Sequence, residues 1–174
     1  MPRFLLSLML LVIFLLEGTV FQFILPQEGE MSWTMLPRFA LVSVIMIALF
    51  LGRREGLIYG FCVGLLQDIL FGHVIGVYTF TMMVAGYFSG MILLLFHRSL
   101  AVVFTTVALV LFGHEWLLYS IYRLFSGHSF DVQWTITNQI LPTVAVNLLF
   151  ALVVYYPMNK VSNSIHLRKE MKPE

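Results

Sequence analysis

An all-α polytopic membrane protein, a compact bundle of six transmembrane helices with both termini cytoplasmic, is the fold class this sequence predicts. Three observations carry the prediction. Charged residues make up only 11% of the 174-residue chain, less than half of the roughly 25% usual in a soluble domain. Mean hydropathy is +0.92, which makes the bilayer the natural solvent. The apolar residues gather into six stretches, at residues 4–24, 33–51, 56–71, 77–96, 100–122 and 136–156. A six-helix membrane domain over 1–158 and a basic cytoplasmic tail over 159–174 account for the whole chain.

The same composition excludes several function classes. A net charge of +1 and no basic run interleaved with aromatics give nucleic acid no footing. Cys62 is the only cysteine, so neither an intrachain disulfide nor a cysteine-based metal cluster is available. No cofactor is implied.

The first stretch, 4–24, has two readings. Arg3 and the apolar run after it suit a cleaved signal peptide. Bulky Phe21 and Phe23 stand where a small-residue cleavage site belongs, which favours a retained span. A polar loop, 26–32, leads to the second span, 33–51, with Trp33 as an interfacial anchor. A basic turn, Gly52-Arg53-Arg54-Glu55, follows.

The third stretch, 56–71, is the weakest. As a helix it spans about 24 Å against a hydrocarbon core of about 30 Å. It also carries Gln67 and Asp68. A mid-helix aspartate costs about 2.5–3.5 kcal/mol on insertion, while each large apolar residue returns only about 0.3–0.6. Segment three therefore needs partners.

Residues 72–76 form a tight connection to the fourth span, 77–96, in which Gly86 and Gly90 stand four apart. The fifth span, 100–122, carries His114 and Glu115, and the sixth, 136–156, carries Pro142 and Asn147. Between them lies the polar stretch 126–135, whose Phe130 and Trp134 suit either the bilayer interface or a partner. The tail from Asn159 is a frayed end or an interfacial helix. Six spans put Arg3, Arg53, Arg54, Arg98, Lys160, Arg168, Lys169 and Lys172 on one side, and Arg38 and Arg123 on the other. That split obeys the positive-inside rule.

Glycine recurs every fourth residue at Gly52, Gly56, Gly60 and Gly64. Asp68 takes the next slot, and Gly72 and Gly76 continue the series. Residues four apart share a helix face. The series, with Gly86 and Gly90, is therefore expected to be a bare-backbone face for close helix packing or a partner interface.

Glu17, Asp68, His114, Glu115 and Asn147 are polar groups expected at depth. Intramembrane ionisable groups point to function by default, and the alternative is a structural group bonded to a neighbouring helix. Both readings stand for Glu17 and Asp68. His114 and Glu115 point about 100° apart on a helix, so they form no ready dyad; a His–carboxylate pair across helices, for instance with Asp68, is an option. Arg38 and Arg123 are the candidate counter-ions for Glu17 and Asp68.

No catalytic constellation emerges. An intramembrane aspartyl protease needs two aspartates at depth, and Asp131 lies in a loop. His114-Glu115 starts a His-Glu-x-x-His zinc motif, but position 118 is leucine. Ser120 and His114 are six apart and do not face each other. The chain reads as a non-enzyme.

The run from Gly56 to Gly72, followed by Gly76-Val77-Tyr78-Thr79-Phe80, resembles the signature of the bacterial rod shape-determining protein MreD family. Glu17 closing span one, the basic turn before Gly56 and the pair Gly86 and Gly90 fit the same pattern. The resemblance implies a multi-pass subunit of the bacterial cytoplasmic membrane that helps maintain rod cell shape within the cell-wall elongation machinery. Its implied partners are the bitopic protein MreC, a SEDS glycosyltransferase, a class B penicillin-binding protein and, indirectly, MreB filaments. It also implies a fold similar to the S-components of energy-coupling-factor transporters, and no catalytic residues.

Two functions follow as expectations. One is a scaffold that binds a MreC-like partner and couples peptidoglycan synthases to the cytoskeleton. The other is an S-component-like binder of a small molecule or lipid precursor. S-components dock through alanine-rich small-residue pairs in their first helix, whereas the first alanine here is Ala40.

Overall fold

A computed structural model describes residues 2–24, 35–72, 74–96, 99–126 and 131–170. The loop 26–32, Trp33, Arg98 and Phe130 lie outside the described residues, and so do the side chains of Arg3, Arg168 and Lys169. Helices α1 (Pro2–Ile24), α2 (Phe39–Leu51), α3 (Arg53–Phe71), α4 (Val77–Leu95) and α5 (Leu100–Ser126) are followed by one continuous helical run. That run comprises α6 (Val132–Thr135), a π-helical turn (Ile136–Ile140) and α7 (Leu141–Glu170). Among the described residues every regular element is helical. Leu100–Phe125 and Val132–Ser162 are long and apolar enough to cross a bilayer, whereas Phe4–Thr19, Phe39–Leu51 and Val77–Ile92 are shorter apolar stretches.

Several boundaries differ from the expected ones. The second helix starts at Phe39 rather than at residue 33, because Pro37 pushes Leu36 out of the helical region. Helix α3 starts at Arg53, so the basic turn expected at 52–55 is its first turn, and Gly52 alone separates it from α2. The fifth helix continues to Ser126, past residue 122. The last run starts at Val132, capped by Asp131, whose carboxylate accepts the Gln133 amide at 3.0 Å. Pro142 lacks an N–H to continue the regular ladder, and the backbone widens into a π turn just before it. Helix α7 continues through Pro157 into the tail.

Helix α2 is the hub. Every residue from Ala40 to Phe50 is buried, and the helix packs against α1, α3, α4, α5 and α7. A helix apolar on all sides belongs in the middle of a bundle. Its 13 residues span only about 20 Å, so its ends do not reach across a hydrocarbon core of about 30 Å.

The most extensive interface joins α3 to α4, and the glycines build it. A methyl group at Gly60 would lie 2.5 Å from the Met82 carbonyl oxygen, and one at Gly64 would lie 2.6 Å from Thr79 Cα. Gly56 abuts Ala48 of α2 and the backbone of Gly86, while Gly90 abuts the backbone of Arg53. Ascending positions in α3 meet descending positions in α4, so the two helices run antiparallel. Such backbone-to-backbone approach leaves no room for a side chain.

The four-residue series does not form one face throughout. Gly52 and Gly76 have φ of 107° and 103° and nothing within 4 Å of a would-be side chain. They are turn residues, used because L side chains rarely adopt that backbone. Gly72 follows the end of α3, and the nearest atoms to a methyl there would be the backbone of Asp68. The packing face reduces to Gly56, Gly60 and Gly64 against α2 and α4, with Gly86 and Gly90 opposite, and the interior of the bundle consumes it. Outward, α3 presents Ile58, Phe61, Leu65, Leu66, Ile69 and Leu70.

Candidate functional site

The short helix α2 creates a chemical problem at its N-terminus. The irregular segment 35–38 enters the bundle with backbone groups that no helix ladder pairs, and Arg38, the residue before the helix, supplies no side-chain cap. Irregular backbone at membrane depth is tolerated only where protein or a lined cavity satisfies it. Two helices converge to do so. Asn147 of α7 accepts the Arg38 amide through Oδ1 at 2.8 Å and donates through Nδ2 to the carbonyls of Leu36 and Thr143, at 2.9 and 2.8 Å. Thr143 Oγ1, also of α7, accepts the Leu36 amide at 3.1 Å. Glu17 of α1 accepts the Ala40 amide through Oε2 at 2.6 Å.

The second oxygen of Glu17 accepts from Gln67 Nε2 of α3 at 3.0 Å. The Gln67 carbonyl oxygen is buried and has no hydrogen-bond partner. Arg38 sends its side chain the other way, with Nε donating to Glu115 Oε1 of α5 at 2.8 Å and its guanidinium 5.5 Å from the centre of the Tyr78 ring.

Asp68 solves the same problem for α4. That helix starts from Gly76, which brings no capping side chain. Asp68 Oδ1 accepts the Tyr78 amide at 2.9 Å, and Oδ2 accepts the Thr79 amide at 2.8 Å and the Thr79 hydroxyl at 2.5 Å. Two buried carboxylates therefore each cap the first turn of a neighbouring helix. The positive end of the helix dipole makes both placements favourable.

These contacts correct two expectations. The counter-ion partners differ: Arg38 pairs directly with Glu115, and Arg123 is exposed, with Nη1 3.4 Å from the Tyr119 hydroxyl. His114 does not meet Asp68. It lies beside its own neighbour, with Nδ1 3.5 Å from Glu115 Oε1, and neither ring nitrogen has a hydrogen-bond partner. Glu115 is the anchor for Arg38. Gln67 and Thr143 join the site although sequence reasoning does not single them out. Gln67 stands one position from Asp68, and Thr143 stands four before Asn147 on the same helix face, which is the available signal.

Two cavities flank Arg38. One, of about 330 Å³, is lined by Arg38, Tyr78, Glu115, Tyr119, Tyr122, Trp134 and Gln139, with Leu36, Leu118, Thr135 and Ile140. The other, of about 280 Å³, is lined by Phe14, Glu17, Gly18, Gln67 and Phe71, with Leu36, Pro37, Arg38 and Tyr78. A largely apolar groove of about 370 Å³ lies between α1 and α3, bounded by Leu10, Leu11, Phe14, Ile58, Cys62, Val63 and Leu66, by Glu55 and by the Ser7–Tyr59 hydroxyl pair at 3.3 Å; Phe14 is shared with the second cavity. Among the described residues no three His, Cys, Asp or Glu side chains converge as a metal-holding group.

The family described as "rod shape-determining protein MreD" matches residues 2–165. The chain is similar to the rod shape-determining protein MreD of Bacillus subtilis (strain 168), with 25% identity over 174 residues and both chains covered in full. No solved structure matches it.

Proposed function

The chain belongs to the MreD family of rod shape-determining proteins, and on that premise we propose that it is a multi-pass scaffold of the bacterial cytoplasmic membrane, binding a MreC-like bitopic partner and coupling peptidoglycan synthases to the cytoskeleton. In this reading the chain makes six crossings with both termini cytoplasmic, the second completed by the non-helical segment ahead of α2, and the distribution of basic residues favours this arrangement. The protein performs no turnover; it holds partners at fixed relative positions. A SEDS glycosyltransferase and a class B penicillin-binding protein are the synthases it serves, and MreB is reached indirectly.

One observation carries the docking site within this reading. The small-residue face of α3 is already filled by α4 and α2, so a partner helix needs another surface. The groove between α1 and α3 offers one, with mostly apolar walls, the Ser7–Tyr59 hydroxyl pair and the Glu55 side chain. Polar side chains of this kind are common where transmembrane helices meet.

Photo-crosslinking in cells tests it. A photoreactive residue in place of Leu11, Ile58 or Cys62 is expected to capture the MreC-like partner, and one in place of Leu109 or Leu149, exposed on α5 and α7, is not. Equal capture at both sets would remove the groove from the proposal. Capture at neither set would remove the partner.

A further inference from the structure

The larger of the two cavities beside Arg38, about 330 Å³, combines a charge pair with aromatic walls. Arg38 and Glu115 form its floor. Their bond uses Arg38 Nε and Glu115 Oε1. Among the described residues the two terminal nitrogens of Arg38 and Oε2 of Glu115 have no protein partner. They also stand apart from the unpartnered polar atoms that the fold seals off, which are the Gln67 carbonyl oxygen and both His114 ring nitrogens. Glu115 borders this cavity and not its neighbour, and the guanidinium meets the carboxylate at 2.8 Å. Uncommitted donors and an uncommitted acceptor therefore lie side by side on one floor.

Charge decides which class of ligand suits that floor. A phosphate or carboxylate drawn to Arg38 meets Glu115 beside it, and an ammonium drawn to Glu115 meets Arg38. A hydroxyl carries no charge, accepts from a guanidinium and donates to a carboxylate. Two hydroxyls on adjacent carbons do both at neighbouring atoms. The walls add a second requirement. Tyr78, Tyr119, Tyr122 and Trp134 line them, and Trp134 is 47% exposed at the rim. Ring faces of this kind match a flat ligand with C–H bonds on one side, as a pyranose has. Gln139 adds an amide that both donates and accepts. It comes from the π-helical turn, a backbone irregularity that gathers at functional sites and here brings Gln139 and Ile140 to the lining.

We propose that this cavity binds the pyranose ring of an uncharged saccharide. Vicinal hydroxyls of the ring bridge Arg38 and Glu115, Gln139 bonds a further hydroxyl, and the C–H face of the ring lies against Trp134. The saccharide is free in solution or is the head of a membrane glycolipid; the ring chemistry is the same. The site shares no residue with the groove between α1 and α3, so it holds or fails independently of partner docking.

Native mass spectrometry of the full chain, extracted in an amine-oxide detergent that carries no sugar, tests the inference. Glucose and glucosyl diacylglycerol are the probes, and sorbitol and plain diacylglycerol, at matching concentrations, are their counterparts without a pyranose ring. One glucose or one glucosyl diacylglycerol retained per chain is expected, with the counterparts retained about tenfold less, the effect of losing one aromatic contact. A glucose adduct identifies a soluble saccharide as sufficient, and an adduct with the glycolipid alone identifies a membrane-borne one. No adduct with either probe, as when acyl chains or a protein segment fill the cavity, overturns the proposal. So does glucose 6-phosphate retained more strongly than glucose, which would mark an anion site.

Two variants change the lining without touching the charge pair. Trp134→Ala and Gln139→Leu are each expected to lower retention of the bound probe about tenfold. Leu124→Ala, on an 83% exposed residue of α5 outside the lining, is expected to leave it unchanged. Undiminished retention in folded Trp134→Ala and Gln139→Leu proteins overturns the assignment.

Discussion

Glu17 of α1 and Ala40 of α2 lie 23 residues apart, and a 2.6 Å hydrogen bond from the Ala40 amide to the Glu17 carboxylate joins them inside the bundle. That bond is a helix cap supplied by a different helix. Glu17→Ala leaves a buried N–H without a partner, which costs about 1–3 kcal/mol. Glu17→Gln retains an acceptor and is expected to cost less than Glu17→Ala. Thermal unfolding of the purified protein, followed by helical circular dichroism, measures the order of the two.

Asp68 makes a matching prediction for α4. Asp68→Asn retains one amide oxygen, whereas the native carboxylate receives three donors on two oxygens. A loss of about 1–2 kcal/mol is expected, the usual scale of a removed N-cap. Thr79→Val removes one of those donors and is expected to cost less than Asp68→Asn in the same assay.

Glu115 is buried and the Arg38 side chain paired with it is nearly so, at 12% exposure. Removing either partner leaves an uncompensated charge in the bundle, at about 3–5 kcal/mol. Arg38→Met together with Glu115→Leu is therefore expected to unfold at a higher temperature than either single variant. A double-mutant cycle reads the coupling directly, and strict additivity would show that the pair is not coupled.

Glycine substitutions separate packing from backbone freedom. Gly60→Ala sets a methyl 2.5 Å from the Met82 carbonyl and pushes α3 away from α4, so lower abundance and a lower melting temperature are expected. Gly113 sits in α5 with nothing within 4 Å of a would-be methyl. Gly113→Ala is expected to stabilise by up to about 1 kcal/mol through helix propensity. A common loss in both variants would mean that the close packing of α3 on α4 does not govern stability.

Asn147 holds the irregular segment in place, its Oδ1 accepting the Arg38 amide and its Nδ2 donating to the Leu36 carbonyl. Asn147→Leu removes both bonds and strands the two backbone groups. It is expected to expose the 35–38 segment to limited proteolysis at protease concentrations that leave the native protein intact.

The membrane class was legible in the sequence because burial in lipid is a property of composition. The close approach of α3 was legible at Gly56, Gly60 and Gly64, because a period of four encodes one helix face. The same period misleads at Gly52, Gly72 and Gly76. A repeat of spacing does not show where the helix stops, and those three lie at or beyond its ends. Pro37 was the local signal for the late start of α2.

Charge chemistry was legible only as an inventory. Glu17, Asp68, Arg38 and Glu115 announce themselves by being ionisable within apolar stretches, since each must find a partner in a medium without water. Which partner each finds is a long-range matter. Glu17 is much nearer to Arg38 in chain order, yet Arg38 pairs with Glu115, 77 positions away. The crossing of α2 through the bundle centre decides this. Its short length leaves an N-terminus at depth, the backbone amide there captures Glu17, and the Arg38 side chain is left to the helix on the opposite side. Composition and spacing determined that this chain lives in a membrane and packs through bare backbone. The tertiary structure decided which groups meet, because a helix end carries its partial charge wherever the fold happens to bring it.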